Sequence, residues 1–308
     1  MRCRLQKPVI ALTLACALSV GCAVSRKVTV SPAQIRPALS ATEAQLVAAY
    51  NDQARAIRTI NAAVRMDPVA GSAYSGVIQE YHEVGGFILA ARPAMIRVIG
   101  QAPLVPKDIF DMVSDGRTFS VYIPSKNKFL VGSTDLDRPA KNTIENLRPQ
   151  HILEALFWPE LPAGAPILFE EFDAPPERYY ILTLLRQADS GPEIARKIWF
   201  DRADLRVARV QIYGPAGRLD SDIAYSDWQT VGDAAATAAS GGAPAATASG
   251  TLFPHDIRIA RPQQDYQLAI TVTKLTLNSE ISADRFVLPQ PSGTELVRVG
   301  EDTQEAQP

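Results

Sequence analysis

The strongest constraint on the fold is a long succession of short segments in which apolar and polar residues alternate with a period of two. Such alternation puts every second side chain on one face of a β-strand. Turn-forming residues separate the segments, among them Gly85-Gly86 and the hairpin dipeptide Asp115-Gly116. The pattern predicts about a dozen antiparallel strands, at residues 60–66, 74–82, 87–91, 95–100, 109–113, 118–123, 128–132, 167–172, 179–185, 195–201, 207–213, 223–228, 253–259 and 266–277.

Two segments have helical rather than strand periodicity. In residues 40–57, Leu46, Tyr50 and Ala54 recur at helical spacing, and Ser40 with Glu43 matches a capping box. A second helix is predicted near residues 149–157. The fold class is therefore mainly β with a few helices (α+β), as a sandwich or a curved, barrel-like wrap. The first helix could cover one sheet face as a lid.

Several predicted strands carry one apolar face, and these faces are the candidate interior. A curled sheet of eight or more strands can enclose either a packed core or a ligand, and the period of two is compatible with both. The apolar-face residues are Phe119, Val121 and Ile123, Ile198 and Phe200, Val210 and Ile212, and Leu268, Ile270 and Val272.

The N-terminus has the pattern of an export signal. Basic residues come first, an apolar run follows from Pro8 to Val20, and small residues come next. The run is shorter than the about 20 residues of a membrane-spanning helix. Residues 1–21 are therefore predicted to be a signal peptide that is removed.

The segment from Leu18 to Cys22 resembles the lipobox of bacterial lipoproteins, where cleavage occurs before a diacylglycerol-modified cysteine. Ser19 stands where that motif usually has Leu. Lipidation at Cys22 would leave the mature chain without a free thiol, since Cys3 and Cys16 lie in the removed part. The alternative is ordinary cleavage after Ala17, at an A-x-A-like site.

Charge and composition limit the partners and the organisation of the chain. Removing residues 1–21 takes away three of the 31 basic residues and none of the 33 acidic ones, so the formal net charge falls from −2 to −5. A nucleic-acid partner is not expected. Residues 22–39 are predicted to form a tether, residues 232–250 a flexible Ala/Gly/Ser/Thr loop within a domain at 40–299, and residues 300–308 a disordered tail.

The sequence contains no catalytic motif such as G-x-S-x-G, H-E-x-x-H or a P-loop. His82, His151 and His255 lack metal-ligand spacing, and a structural or surface role is predicted for each. Glu170 and Glu171 are adjacent, so on a strand they point to opposite faces and cannot act as a pair. We therefore predict a binding protein without catalytic residues, metal or cofactor.

Several short motifs resemble landmarks of the LolA/LolB-like lipoprotein carriers and receptors. The landmarks Arg-Pro-x-x-Phe-Arg, Ser-Asp-Gly and Tyr-x-Pro are similar to segments of this chain in the same order, over about residues 42–299. The segments are Arg92–Arg97, Ser114-Asp115-Gly116, Tyr122-Ile123-Pro124, Ile198–Asp201, Val207–Tyr213, Ile223–Asp227 and Pro291-Ser292-Gly293. The resemblance implies an unclosed antiparallel β-barrel of about 11 strands with a helical lid over a cavity for acyl chains.

The resemblance also implies ligand-binding residues and partners. Acyl chains of lipoproteins or lipids are the expected ligands, and a periplasmic carrier protein is a possible partner. The expected localisation is the bacterial envelope, lipid-anchored at the outer membrane and facing the periplasm. The residues expected to bind the ligand are Arg97, Ile99, Phe119, Val121, Phe200, Ile212, Leu268, Ile270 and Val272.

Arg97 has two possible placements. If Met95, Arg97 and Ile99 face the interior, the guanidinium needs a partner there, such as lid backbone or a ligand headgroup. If Ile96 and Val98 are buried instead, Arg97 faces solvent. For the whole molecule, the alternative to a lipid-binding protein is a structural or interaction lipoprotein with a packed barrel.

Overall fold

The computed structural model describes residues 37–72, 77–80, 83–102, 107–135, 148–174, 176–232 and 250–299. The predicted signal peptide, Cys22 and the predicted tail at 300–308 lie outside these residues. Most of the predicted tether (22–39) and most of the predicted loop (232–250) also lie outside them. The described helices are α1 (Glu43–Ala56) and α2 (Pro149–Leu156). The described strands are β1 (Thr59–Ser72), β2 (Val77–Glu80), β3 (Val84–Ala91), β4 (Met95–Gln101), β5 (Asp108–Ser114), β6 (Thr118–Ile123), β7 (Lys128–Ser133), β8 (Ile167–Ala174), β9 (Glu177–Ala188), β10 (Gly191–Asp201), β11 (Val207–Tyr213), β12 (Leu219–Val231), β13 (Thr251–Arg261), β14 (Tyr266–Leu277) and β15 (Glu295–Arg298).

All described strands belong to one sheet, in the order β15-β7-β6-β5-β4-β3-β1-β14-β13-β12-β11-β10-β9-β8, with β2 paired to β1. The pairings are antiparallel apart from β15, which lies parallel to β7. Because β8 and β15 are at opposite ends of this order, the sheet is unclosed. The predicted mainly-β, unclosed antiparallel fold is confirmed, with fifteen described strands rather than about eleven.

Strand β1 joins the two halves of the sheet. It pairs with β3 on one side and with β14 on the other. The predicted alternation holds, since Ile60, Ala62, Val64 and Met66 are buried. We call the face that carries these residues the inner face, and the opposite one the outer face.

The predicted turn at Gly85-Gly86 is wrong, because both glycines lie within β3. Gly86 pairs with Gly100 of β4, and a Cβ atom on Gly86 would come within 2.0 Å of the Ile99 carbonyl oxygen. Glycine serves here for close approach of two strands rather than for a turn. The hairpin at Asp115-Gly116 is confirmed, and the Asp115 carboxylate accepts from the backbone N–H groups of Arg117 and Thr118, both at 2.8 Å.

Helix α1 begins later than predicted. Its N-cap is Thr42, whose hydroxyl accepts from the Gln45 N–H at 3.3 Å while the Gln45 side chain accepts from the Thr42 N–H at 2.9 Å. The predicted Ser40/Glu43 capping box is therefore wrong. The sequence contains two overlapping matches to the motif, and the second one forms.

Helices α1 and α2 both pack on the inner face. Leu46, Tyr50 and Ala54 of α1 and Ile152 of α2 are buried in one apolar cluster with residues of the sheet. The predicted lid is thus a pair of helices. Within the described residues, neither helix combines the length and hydropathy that spanning a bilayer requires.

Candidate functional site

The inner face carries an apolar row that runs across six neighbouring strands, from β9 to β14. Strand register places the row's members directly beside one another. Each is only 0–2% exposed. The row consists of Leu182, Ile198, Val210, Ile223, Ile259 and Leu268.

The apolar residues predicted to line a cavity lie on this inner face. Phe200, Leu268, Ile270 and Val272 belong to one buried cluster, and Val121 and Ile212 pack partly buried against it. Phe119 is buried beneath the guanidinium of Arg148, which lies 5.8 Å from the ring centroid. The inner face therefore brings these seven residues to one side of the sheet.

Arg97 and Ile99 lie on the outer face, so their expected interior placement is wrong. Ile96 and Val98 are the buried residues of β4, each at 0% exposure. Arg97 is not solvated either, since it donates to both carboxylate oxygens of Asp111, at 3.0 and 2.6 Å, and to the Arg285 carbonyl at 3.0 Å. Both faces of β4 carry apolar residues, so the local pattern alone does not select the inner one.

Arg92 makes the lid contacts that were considered for Arg97. Its guanidinium donates to the carbonyl oxygens of Ala54 (2.7 Å), Ile57 (2.9 Å) and Trp158 (3.0 Å). It also lies 4.8 Å from the centroid of the Phe157 ring. Burial lowers the pKa of Arg92, while its hydrogen bonds satisfy carbonyls at the end of α1. Arg92 lies in the turn between β3 and β4, far from α1 along the chain, so the sequence carries no local signal for this contact.

A few further polar contacts hold the lid. The Asn51 side chain and the backbone of Leu161 exchange two hydrogen bonds, at 3.2 and 2.8 Å. Gln53 of α1 donates to the Leu252 carbonyl of β13 at 2.6 Å. These contacts tie α1 to the segment after α2 and to the sheet.

An aromatic cluster fills the junction between the helices and the sheet. Tyr50 stacks on Trp158 with ring centroids 5.2 Å apart. The Trp158 indole donates to the Tyr225 hydroxyl at 2.9 Å, and that hydroxyl donates to the Ala155 carbonyl at 2.9 Å. The indole N–H of Trp158 and the hydroxyl of Tyr225 are thus both hydrogen-bonded, as burial requires.

Helix α2 carries a second polar contact with the inner face. His151 Nδ1 lies 2.5 Å from the Tyr266 hydroxyl, and both residues are buried. Burial lowers the pKa of His151 well below its usual value, and the charges of Arg261 and Arg148 act in the same direction. A neutral imidazole nitrogen can accept a hydrogen bond from the tyrosine hydroxyl. This pair is therefore a hydrogen-bonded contact within the core.

The space beneath the lid is small. A cavity lined by Gln53, Ile57, Arg92, Leu156 and Phe253 has a volume of about 10 Å³. That is room for about one water molecule. With the helices in this position, the inner face at this point is packed rather than open.

No family model matches the sequence, and no curated protein matches it significantly. Among solved structures, the chain is similar to a DUF1329 family protein from Desulfovibrio piger, with 14% identity, a TM-score of 0.49, and coverage of 78% of this chain and 94% of that one. It is also similar to a LolA superfamily protein from Nitrosomonas europaea, with 13% identity, a TM-score of 0.45, and coverage of 79% and 97%. A domain from Vibrio parahaemolyticus assigned to outer membrane lipoprotein sorting gives 8% identity, a TM-score of 0.45, and coverage of 78% and 95%. At these values the likeness concerns the arrangement of the sheet and not a function.

Proposed function

We propose that this protein is an exported, lipid-anchored binding protein whose inner face takes up acyl chains when α1 and α2 move away from it. The observation that carries the proposal is the apolar row from β9 to β14, which two separate helices cover. Six strands span five spacings of about 4.8 Å, so the row offers an apolar track on the order of 24 Å long.

The energetics of uptake follow from burial. An acyl chain that replaces the helices on the row gains about 0.8 kcal/mol for each buried CH₂ group. Opening the lid breaks the hydrogen bonds of Arg92, Asn51 and Gln53 and separates Tyr50 from Trp158. These contacts and the apolar burial of the helices hold the lid closed, so the burial of the acyl chain has to outweigh their loss. No nucleotide is needed to drive the exchange.

The anchor and the location belong to the same proposal. A lipid on Cys22 would hold the domain at the outer membrane, facing the periplasm, where lipoproteins or lipids are the clients and a carrier protein delivers them. The basic and apolar N-terminal pattern supports this part of the proposal.

The second candidate function is a structural or interaction lipoprotein that works through its outer surface. The packed interior favours it, since Ile270 is 1% exposed and the cavity beneath the lid holds about 10 Å³. A permanently closed lid would leave no site for an acyl chain.

Binding of a fluorescent fatty acid separates the two functions. The full chain carrying Cys22→Ala is purified without detergent, examined by native mass spectrometry for bound lipid, and titrated with the probe. We expect bound lipid and saturable binding. Absence of both would favour the interaction lipoprotein.

A tryptophan substitution on the inner face tests where the chain binds. Ile270→Trp overfills a packed site, so it should lower the free energy of unfolding by about 1–3 kcal/mol and weaken binding. The matched control is Gln267→Trp on the exposed outer face of the same strand. Equal binding by both variants would place the acyl chain elsewhere.

A further inference from the structure

A second cross-strand row lies beside the apolar row on the inner face, two residues further along each strand. Leu184 pairs with Arg196, Arg196 with Ile212, and Ile212 with Ser221. Because residues two apart on a strand share a face, Arg196 and Ser221 point to the same side as Ile198 and Ile223. Polar groups thus stand directly next to the apolar track.

Arg261 and Tyr266 also face inward beside the apolar row, and both have partners. They pair with each other in register, and Tyr266 lies two residues before Leu268. Arg261 donates to Glu154 and to Gln264, each at 3.2 Å, and Tyr266 contacts His151.

Arg196 and Ser221 differ, because each carries a buried polar atom without a hydrogen-bond partner among the described residues. The atoms are Arg196 Nε and Ser221 Oγ, and Ser221 is 0% exposed. The hydrogen bond recorded for Arg196 runs from its Nη1 to the Tyr50 hydroxyl at 3.4 Å. In the part of the chain that the structure describes, no carboxylate lies within ion-pair distance of Arg196. Buried donors that stay unpaired are rare and costly.

The neighbouring carboxylates are already engaged. Glu154, whose pKa the positive charge of Arg196 acts to lower, forms its direct ion pair with Arg261 at 3.2 Å. Asp220 is bonded to Arg218 at 2.8 Å. A ligand oxygen can therefore add to Arg196 without displacing an existing ion pair.

This end of the inner face is also accessible. Leu184 and Ile212, on either side of Arg196, are only half-buried, in contrast to the fully buried apolar row. The Glu154 side chain on α2 is 44% exposed. Solvent thus reaches the row at Leu184 and Ile212, whereas Ile198 is 0% exposed.

We propose that Arg196 and Ser221 bind the anionic headgroup oxygen, a carboxylate or phosphate, of an amphiphile whose acyl chain lies on the adjacent apolar row. The inference rests on the proposed acyl-chain binding. An arginine and a hydroxyl both donate, and charge-assisted bonds from a guanidinium favour an anionic oxygen. Because the two rows lie side by side, a headgroup bound at Arg196 and Ser221 places its acyl chain next to the apolar row.

The test compares cis-parinaric acid with its methyl ester, which differ only in the headgroup charge. Both are titrated by fluorescence at pH 7.5 into the full chain carrying Cys22→Ala. We expect the acid to bind about tenfold more tightly than the ester. Arg196→Met should abolish the preference and Ser221→Ala should reduce it, while Arg65→Met, on the outer face, should leave it unchanged.

The outcomes separate the headgroup site from the proposed function. Equal binding of acid and ester, or a preference that survives Arg196→Met, would overturn the headgroup site and leave acyl-chain binding intact. Failure of both probes to bind would overturn both proposals.

Titration with acetate and with inorganic phosphate alone completes the design, because tight binding of either would indicate a small-anion site instead. Circular dichroism checks folding, and Ser221→Ala carries the comparison if Arg196→Met does not fold.

Discussion

His151 and Tyr266 share a buried hydrogen bond whose strength depends on a neutral imidazole. Burial, with the charges of Arg261 and Arg148, lowers the pKa of His151 in the folded state. In the unfolded chain a histidine titrates near about pH 6.5. The unfolded state therefore binds more protons below that pH, and acid favours unfolding.

The expected result is a free energy of unfolding that is fully retained above about pH 6.5 and declines as the pH falls below it. The contribution of His151 to this decline is at most about 1.4 kcal/mol per pH unit. Urea denaturation at several pH values measures the slope. His151→Gln should flatten it, because the group with the lowered pKa is removed. Identical slopes in wild type and His151→Gln would show that another group governs the acid sensitivity.

At the residue scale, local pattern predicted apolar faces better than it predicted individual polar roles. Phe119, Phe200 and Ile270 are buried, because alternation with a large apolar residue every second position selects one face. Neither of the two placements considered for Arg97 is observed, since it lies on the outer face and forms an ion pair with Asp111 of the next strand. Arg196 and Ser221 gave no local signal, because their row forms only when β10, β11 and β12 come into register.

At the element scale, most strands were predicted within four residues of their observed ends, and β14 was predicted with its observed ends at Tyr266 and Leu277. Strand β1 was predicted to end at residue 66 but continues to Ser72. Strand β15 was missed, since Glu295–Arg298 is short and lies parallel at the edge of the sheet. The two capping-box matches near α1 could not be ranked from sequence. The packing of Leu46 and Tyr50 selects the later start.

The attachment of α1 to the sheet depends on Arg92. Its guanidinium donates to the carbonyl oxygens of Ala54 and Ile57 at the end of α1 and of Trp158 after α2. Arg92→Met keeps an unbranched apolar stem and removes the hydrogen-bond donors. We expect the free energy of unfolding to fall by on the order of 3 kcal/mol, because buried carbonyls lose their partners. Hydrogen exchange of the α1 amides should accelerate more than that of β13.

The control for Arg92 is Arg55→Met. Arg55 forms exposed ion pairs with Asp52 and Glu160, both at 2.6 Å, and ion pairs in contact with solvent contribute little to stability. Equal exchange rates in the two variants would mean that apolar packing alone holds the lid, and that Arg92 has no special part in its closure.

At the scale of the whole molecule, the sequence predicted the mainly-β class and the lid, but not how the two halves of the sheet meet. That junction is β1, which lies between β3 and β14 although 174 residues separate the end of β3 from the start of β14 in the chain. The period of the hydrophobic residues determines which side chains share a face of a strand, but it does not determine the order of the strands in the sheet. Long-range pairing therefore determines which apolar faces combine into one inner surface.

The anchor can be tested on the intact protein in a bacterial envelope. If Cys22 is acylated after cleavage before it, wild-type protein should sediment with membranes and incorporate radiolabelled palmitate. Cys22→Ala should move it to the soluble periplasmic or secreted fraction without label, because no stretch between residues 22 and 308 has the about 20 apolar residues of a membrane-spanning helix.

Ser19→Leu serves as the matched variant, since it restores the residue that the lipobox usually has at that position. A wild type that is soluble and unlabelled, with label gained only in Ser19→Leu, would show that Ser19 prevents lipidation and that cleavage follows Ala17 instead. The domain would then act as a free periplasmic binder. Its inner face would serve acyl-chain transport through the periplasm rather than reception at a membrane.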